Sequence, residues 1–484
     1  MEQIVTSINN VLWSQWVIYT ILGIGLIFSI LTRFLQVRLI KDMVKLMFQG
    51  KSSEAGVSSF QALSIALSGR VGTGNIAGVA TAIAFGGPGA VFWMWAIAFI
   101  GASSAFIEST LAQIYKVKQD GQYRGGPAYY IEKGTGIKWF AVLFAIAALI
   151  AMSILMPGVQ SNSIALGVKN AFGISPMVTG IAIIVLLGFI IFGGVKRIAN
   201  VAQVIVPFMA LGYILVSLII VLMNITQLPS VISLIFKSAF ALDSAFGGLI
   251  GMAISWGVKR GIYSNEAGQG TGAHPAAAAE VSHPAKQGLV QAFSVYIDTL
   301  FVCSATAFMI LFTGMYNTTR PDGTFIVQNL KGIEAGPGYT QAAIESIFPG
   351  FGAGFVAIAL FFFAFTTIMA YYYIAETNIA YLSRGNNSKW AMFLLKIVLL
   401  GATFYGAVKT AGLAWALGDT GLGIMVWLNV IAIVLLAKPA IITLKDYEKQ
   451  KKQGLDPVFD PNAIGIKNAD FWEKEYKKEQ DHAS

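Results

Sequence analysis

Residues Ser68 to Gly78 read Ser-Gly-Arg-Val-Gly-Thr-Gly-Asn-Ile-Ala-Gly. Each glycine here weakens a helix by about 1 kcal/mol relative to alanine, so a helix entering this stretch is interrupted. An interruption leaves N–H groups of one half-helix and C=O groups of the other without internal partners. The N–H end favours a carboxylate and the C=O end favours a cation. A zwitterion bound together with a small cation suits that geometry. A second stretch has the same character. It runs Gly247-Gly248-Leu249-Ile250-Gly251-Met252-Ala253-Ile254-Ser255-Trp256-Gly257-Val258-Lys259-Arg260-Gly261, and then Ser264-Asn265-Glu266-Ala267-Gly268-Gln269-Gly270-Thr271-Gly272. Ser264-Asn265-Glu266 fits either a helix cap or a gate.

Other polar side chains stand within apolar runs. Gln160 and Asn162 follow Met156-Pro157-Gly158-Val159. An unpaired amide there costs several kcal/mol, so these two either hydrogen-bond a ligand or tie helices together. Thr366 and Thr367 are adjacent hydroxyls that can offer oxygen to a hard cation, or bond back to their own helix. Arg70, Glu108, Asp298 and Glu376 are charges within or near apolar segments, where charge is rare and functional by default. Glu108 is placed to satisfy loose backbone of the broken helices. Asp298 is placed to pair with Arg70 or to face a cation. Glu376 and Asn378 read as interfacial. Gly78 and Ala82 fit tight helix packing equally well.

The elements that must position these groups are membrane helices. Of 484 residues, 56% are hydrophobic and only 12% charged, against roughly 25% charged in a soluble domain. The mean hydropathy is +0.68. Apolar residues come in blocks long enough to cross a bilayer. Eleven spans are predicted, at 11–32, 60–84, 89–115, 139–166, 176–195, 200–223, 243–273, 287–314, 351–382, 389–408 and 420–437. The first lacks a preceding Lys or Arg and is too long for a signal core. Lys and Arg follow spans one, three and five, and nine lysines lie from Lys438 onward. With an odd span count this places the N-terminus outside and the C-terminus in the cytoplasm. The 315–340 loop, with Pro321-Asp322-Gly323, reads as an outside turn region or lid. Residues 438–484 read as a cytoplasmic tail, solvated and loose or with Lys445–Lys452 lying on anionic lipid.

The two glycine-interrupted spans, 60–84 and 243–273, stand five apart and enter from opposite sides. Repeats of about 60–223 and 243–437 would then be two inverted five-helix units after a leading helix, all within a transporter domain of residues 1–437. Several chemistries are excluded. Gly-x-Gly at 72–74 lacks the strand and acidic partner of a dinucleotide site. No P-loop, zinc-protease motif or nucleophile elbow occurs, so an ATP-driven pump or hydrolase is not indicated. Cys303 stands alone, and His274, His283 and His482 are scattered, so neither a disulfide framework nor a metal centre is expected. The net charge of +9 fits cytoplasmic loops of a membrane protein without calling for nucleic acid. A channel would show a repeated pore element, and a receptor a signalling domain.

Gly86-Gly87-Pro88-Gly89-Ala90-Val91-Phe92-Trp93-Met94-Trp95, with Ser68–Gly78 and Ser264-Asn265-Glu266-Ala267-Gly268, resembles the motifs of the alanine or glycine:cation symporter family. The resemblance covers about residues 10–440. It implies an all-α LeuT-type fold, no enzymatic activity, no cofactor, and sodium as coupling ion. The implied function is sodium-driven import of a small neutral L-amino acid, most of all alanine or glycine, across a bacterial inner (plasma) membrane. D-alanine, glutamine and proton coupling through Glu108 or Asp298 stay open. By analogy Gly72, Thr73 and Gly74 bind the substrate carboxylate, and Gln160 contacts substrate. Ser255, Trp256, Gly257 and Val258 line the pocket. Val71, Thr366 and Thr367 match a sodium site, with Ser68 a further candidate. Asn75 matches a contact to a second sodium, which the adjacent Arg70 would repel. Arg70, Glu108, Glu266 and Asp298 are implied gating or structural charges.

Overall fold

The computed structural model describes residues 2–50, 52–242, 246–384 and 388–476. Lys51, the side chain of Lys196, the first residues of the predicted 243–273 span, and the tail from 477 on, with His482, lie outside the described residues. Among the described residues eight helices are long and apolar enough to cross a membrane: Gln3–Leu31, Gly89–Ile114, Lys138–Phe172, Arg197–Met223, Pro284–Thr313, Gly352–Ser383, Lys389–Val408 and Ala411–Leu435. Each coincides with a predicted span. The other three predicted spans are made of shorter pieces. Span 60–84 is Ser59–Arg70 and then Gly74–Gly86, and span 176–195 is Pro176–Ile191. Span 243–273 is Ile250–Asn265, followed after a gap by Ala273–Ala278. The chain is an all-α polytopic membrane protein with two small hairpins. Its peripheral helices expose large apolar side chains such as Phe189, Phe208 and Leu211. Water would not tolerate such a belt, and lipid does.

Local sequence sets the helix ends. Ser58 and Gln61 form a reciprocal capping box at the start of Ser59–Arg70, with Gln61 N–H donating to Ser58 Oγ at 3.2 Å and Ser58 N–H to Gln61 Oε1 at 3.0 Å. Pro157, Pro176 and Pro284 sit in first turns, where the missing N–H is an orphan anyway.

The two interrupted helices lie in the middle and run in opposite directions. One carries the chain from Ser59 to Gly86, the other from Ile250 to Ala278. Their common wall is the helix Gly89–Ile114. Gly257 packs so closely on it that a Cβ there would meet Trp93 Cβ at 2.6 Å. One face of the bundle carries the hairpin Asn317–Thr319/Phe325–Gln328. Thr318 Oγ1 donates there to the Ile83 carbonyl at 3.1 Å, over the end of the first interrupted helix. The predicted turn region is thus a folded strand pair. The opposite face carries the hairpin Val117–Gln119/Gln122–Arg124, the Val57–Ala279 bridge and the helix Ala437–Lys452.

On that second face residues 457–476 are docked, where the sequence reading offered a loose tail. Trp472 is buried, and its indole N–H donates to the Gln113 carbonyl at 2.8 Å. The Lys116 ammonium lies 4.3, 4.6 and 5.0 Å from the ring centres of Tyr123, Phe471 and Trp472. Phe459 N–H donates to Ser282 O at 2.9 Å, and Lys133 pairs with Asp470 at 2.7 Å.

Candidate functional site

The first interruption is short. The helix Ser59–Arg70 ends at Val71, whose φ/ψ of −78°/85° is not helical, and winding resumes at Gly74 with one π-helical turn, Gly74–Gly78. Two freed N–H groups meet side-chain amide oxygens. Gly72 N–H donates to Asn75 Oδ1 at 2.8 Å, and Thr73 N–H donates to Gln160 Oε1 at 3.0 Å. Acceptor oxygens therefore stand on these N–H groups where a carboxylate would stand. Gln160 Nε2 donates to Tyr371 OH at 3.2 Å. Tyr263 is a neighbour of both Gln160 and Tyr371. Thr73 Oγ1 and Tyr263 OH are buried without a hydrogen-bond partner among the described residues. Asn162, by contrast, ties helices together by donating to the carbonyls of Gly406 and Lys409.

Absent side chains make the approach possible. A Cβ on Gly72 would run into Thr367 Oγ1 and come within 3.1 Å of Gln160 Oε1. A Cβ on Gly74 would lie 3.0 Å from Ser264 Cα. The two interrupted helices therefore touch at Gly74 and Ser264.

Of the two predicted sodium-ligating threonines, one faces the break. Thr367 Oγ1 donates to the Ser68 carbonyl at 2.9 Å, across from its own helix, and to Phe363 O at 2.9 Å. Thr366 Oγ1 bonds only to Phe362 O and Phe363 O of its own helix, at 2.9 and 3.0 Å. Ser68 Oγ bonds back to Ile65 O at 2.7 Å, so Ser68 offers the break its carbonyl. Val71 is buried beside them.

The second interruption falls at Glu266–Gly272, later in the chain than Ser255–Val258. Glu266, Gly268 and Gly270 have φ of 56°, 84° and 86°, and a non-glycine residue there is uncommon. Neighbouring helices supply its caps. Glu108 Oε2 accepts from Gly270 N–H at 3.1 Å, as loose backbone requires, and from Asn429 Nδ2 at 2.9 Å. Asn429 Nδ2 also donates to Gly268 O at 2.9 Å. Asn265 Oδ1 accepts from Ala267 N–H at 3.0 Å, and Glu266 Oε2 from Thr271 Oγ1 at 2.8 Å. Glu108 Oε1 and Glu266 Oε1 are buried without partners among the described residues.

Arg70 is buried beside this region. It donates to Gln291 O at 3.1 Å and to Ser294 Oγ. Its charged neighbours are Glu266, Glu108 and Asp298. No direct Arg70–Asp298 ion pair forms among the described residues. Asp298 instead accepts from Asn75 Nδ2 at 2.6 Å, Ser264 Oγ at 3.0 Å and Thr299 Oγ1 at 2.7 Å. It thereby joins both interrupted helices to the helix Pro284–Thr313. Glu376 lies 3.5 Å from Arg124, and Asn378 Nδ2 lies 3.0 Å from His274 Nε2.

Ser255, Trp256, Gly257 and Val258 sit in an unbroken helix, Ile250–Asn265. Gly257 faces the wall helix and Val258 is buried. Trp256 lines a cavity of about 800 Å³ that opens toward the 317–335 hairpin and also touches Phe85, Lys259, Arg260, Trp415 and Asp419. At the inner end of that cavity Arg260 pairs with Asp419 through contacts of 2.7 and 3.2 Å. Its guanidinium lies 4.2 Å from the Trp415 ring, 5.0 Å from Trp256 and 5.7 Å from Tyr263. Lys259 reaches Asp419 at 2.5 Å. The pair stands between the cavity and Tyr263. Asp419, Tyr263 and Tyr371 were not singled out from sequence. Asp419 had a usable signal, because an acid inside an apolar helix is functional by default; the predicted span began one residue too late.

Membrane-crossing helices packed around two opposed, interrupted helices, with freed backbone N–H groups at their meeting point and a cavity above, define a membrane transporter, not an enzyme. The chain belongs to the sodium:alanine symporter family, whose family model matches residues 1–461. It is 83% identical over 484 residues, the full length of both chains, to a Bacillus subtilis (strain 168) protein named as a proposed sodium/proton-dependent alanine carrier. It is 60% identical over 440 residues, 90% of this chain and 98% of the other, to the sodium/proton-dependent alanine carrier protein of Bacillus sp. (strain PS3). A Bacillus subtilis (strain 168) protein named as a proposed sodium/glutamine symporter is 47% identical over 461 residues, 95% of this chain and 93% of its own.

Proposed function

We propose that this protein is a sodium-coupled secondary active symporter that imports a small neutral amino acid, alanine or glycine before others, by alternating access. Family membership supports alanine:cation symport. The observation that carries the site assignment is the pair of amide oxygens, Asn75 Oδ1 and Gln160 Oε1, on the N–H groups of Gly72 and Thr73. A substrate carboxylate takes the place of Gln160 Oε1 on Thr73 N–H. Thr73 Oγ1 and Tyr263 OH, which lack partners, then serve the bound zwitterion. Sodium lies against the Ser68 carbonyl, Val71 and the Thr367 hydroxyl, where hard oxygen ligands converge. Entry from the 800 Å³ cavity requires Arg260 and Asp419 to part, and Trp256 bounds the path. We infer for the wider arrangement eleven spans, a leading helix and two inverted five-helix units of LeuT type, which the two opposed interrupted helices support. The N-terminus is outside and the C-terminus in the cytoplasm, in keeping with the distribution of Lys and Arg.

Proton coupling is a second reading with its own support. Glu108 and Glu266 each keep one buried oxygen without a partner, and two relatives carry both ions in their names. Labelled alanine uptake into vesicles of the purified protein separates the readings. An inward sodium gradient is expected to drive accumulation that excess glycine blocks, and potassium in its place none. Accumulation driven by a pH gradient without sodium would transfer the coupling to Glu108 and Glu266. Block by glutamine but not by glycine would move the substrate.

A further inference from the structure

We propose that the cleft between residues 33–38 and the helix Ala437–Lys452 is a binding site for the headgroup of an anionic phospholipid. Arg33, Lys445, Glu448, Lys449, Lys452 and Gln453 line a cavity of about 330 Å³. The carboxylate there is spoken for. Glu448 accepts from Arg33 and from Arg38 at 2.6 Å each, one oxygen apiece. Lys445, Lys449 and Lys452 follow one another at intervals of four and three residues and so share a helix face. Among the described residues none of the three makes an ion pair, and all are exposed. Arg33, Lys445, Lys449 and Lys452 thus line the cleft with Glu448 as the one carboxylate of the lining, and charge complementarity calls for an anion.

The position says which anion. Arg33 comes two residues after the membrane helix Gln15–Leu31, and Ala437–Lys452 begins two residues after the membrane helix Ala411–Leu435. The cleft therefore lies at the headgroup level. Beside it runs the helix Ile40–Met47, which is two-faced. Met43, Leu46 and Met47 are buried against the protein, while Val37, Ile40, Val44 and Phe48 are exposed along the other side. Phe48 is 73% exposed. An apolar stripe next to a basic cleft fits an acyl chain beside its phosphate, not a nucleic acid or an acidic peptide. An ion pair between Lys451 and Asp42 ties the two walls together, so the cleft is preformed.

The test is native mass spectrometry of the detergent-solubilised full chain titrated with phosphatidylglycerol and with phosphatidylcholine. No substrate or sodium is needed, so failure of the transport assignment leaves the result readable. The full chain should retain phosphatidylglycerol preferentially. Lys445→Gln/Lys449→Gln/Lys452→Gln should weaken that binding roughly a hundredfold, about fivefold per lysine. Lys169→Gln/Lys409→Gln, which removes charge elsewhere, should not. An equal thermal unfolding midpoint for the triple variant and the native chain reports intact folding. Equal retention of both lipids, or unchanged phosphatidylglycerol binding by the triple variant, overturns the proposal. Displacement of the lipid by millimolar inorganic phosphate overturns the lipid assignment in favour of a free-anion site.

Discussion

Thr366 and Thr367 are neighbours of identical chemistry, and the fold gives them different work. Thr367 directs its hydroxyl to the Ser68 carbonyl across the break, whereas Thr366 spends its hydroxyl on two carbonyls of its own helix. Replacing Thr367 by valine keeps the shape and removes the oxygen. An interaction with a charged group contributes about 1.5–3 kcal/mol, so the sodium concentration for half-maximal uptake should rise about ten- to a hundredfold. Thr367→Ser keeps the oxygen and should stay within about threefold of the native chain, since shifts under a kilocalorie lie inside that factor. Thr366→Val should do the same. The assay is initial alanine uptake in vesicles across a sodium series, with protein amount matched and alanine saturating. A rise for Thr366→Val equal to or larger than that for Thr367→Val would refute the reasoning. Sodium would then be bound where the Thr366 hydroxyl turns outward from its helix.

Asp419→Asn leaves Arg260 and Lys259 buried near a neutral partner, and breaking such a pair costs about 3–5 kcal/mol. A lower thermal unfolding midpoint with loss of uptake is expected, and an unchanged midpoint would show the pair to be dispensable. Gly74→Ala places a methyl 3.0 Å from Ser264 Cα. Backbone cannot yield there, so uptake should fall at least tenfold at normal protein levels, and native uptake would show that the two breaks have room to separate. On the tail face, His283 Nδ1 accepts from Ala285 N–H and its Nε2 donates to Asp446, each at 3.2 Å. Burial holds the His283 pKa below its ordinary 6.5, and the hydrogen bond from His283 holds Asp446 below the usual carboxylate value. A depressed folded pKa means that the unfolded state binds more protons. The contribution of His283 is therefore complete above pH 6.5 and is lost as pH falls below it. That of Asp446 is lost at lower pH still. Trypsin should release the docked segment 457–476 faster at pH 5 than at pH 7.5, and equal rates would exclude His283 as part of its anchor.

The long helices were legible because uninterrupted hydropathy needs no partner to be read. The first break was legible for a related reason. Four glycines around Arg70 cannot make a lipid-facing helix, whatever surrounds them. The second break was not located, because glycines are spread evenly from Gly247 to Gly272. Its position is decided by Glu108 and Asn429, which reach Gly270 and Gly268 from helices far away in sequence. The two threonines looked equivalent, because only the fold decides which one faces Ser68. The tail read as loose, since Phe459, Phe471, Trp472 and Tyr476 are sparse among charges. What holds them is Lys116 and the Gln113 carbonyl, more than three hundred residues earlier for Trp472. The proposed Gln160 contact lay within reach of sequence reasoning, whereas Tyr371 is one of three consecutive tyrosines with nothing to distinguish it.

The contacts of Arg70 also have a history in time. Its guanidinium rests on Gln291 and Ser294, 221 and 224 residues further along the chain. At roughly 5–20 residues per second of synthesis, those partners emerge about 11–45 s after Arg70. Through that interval an arginine at mid-helix is worth about +2.5 to +3.5 kcal/mol against membrane insertion, beside glycines that do not hold a helix. The first broken helix must therefore wait, sheltered at the insertion machinery or shallow in the interface, until the second arrives. Insertion defects are therefore expected to cluster in substitutions at Gln291 and Ser294 as well as at Arg70 itself.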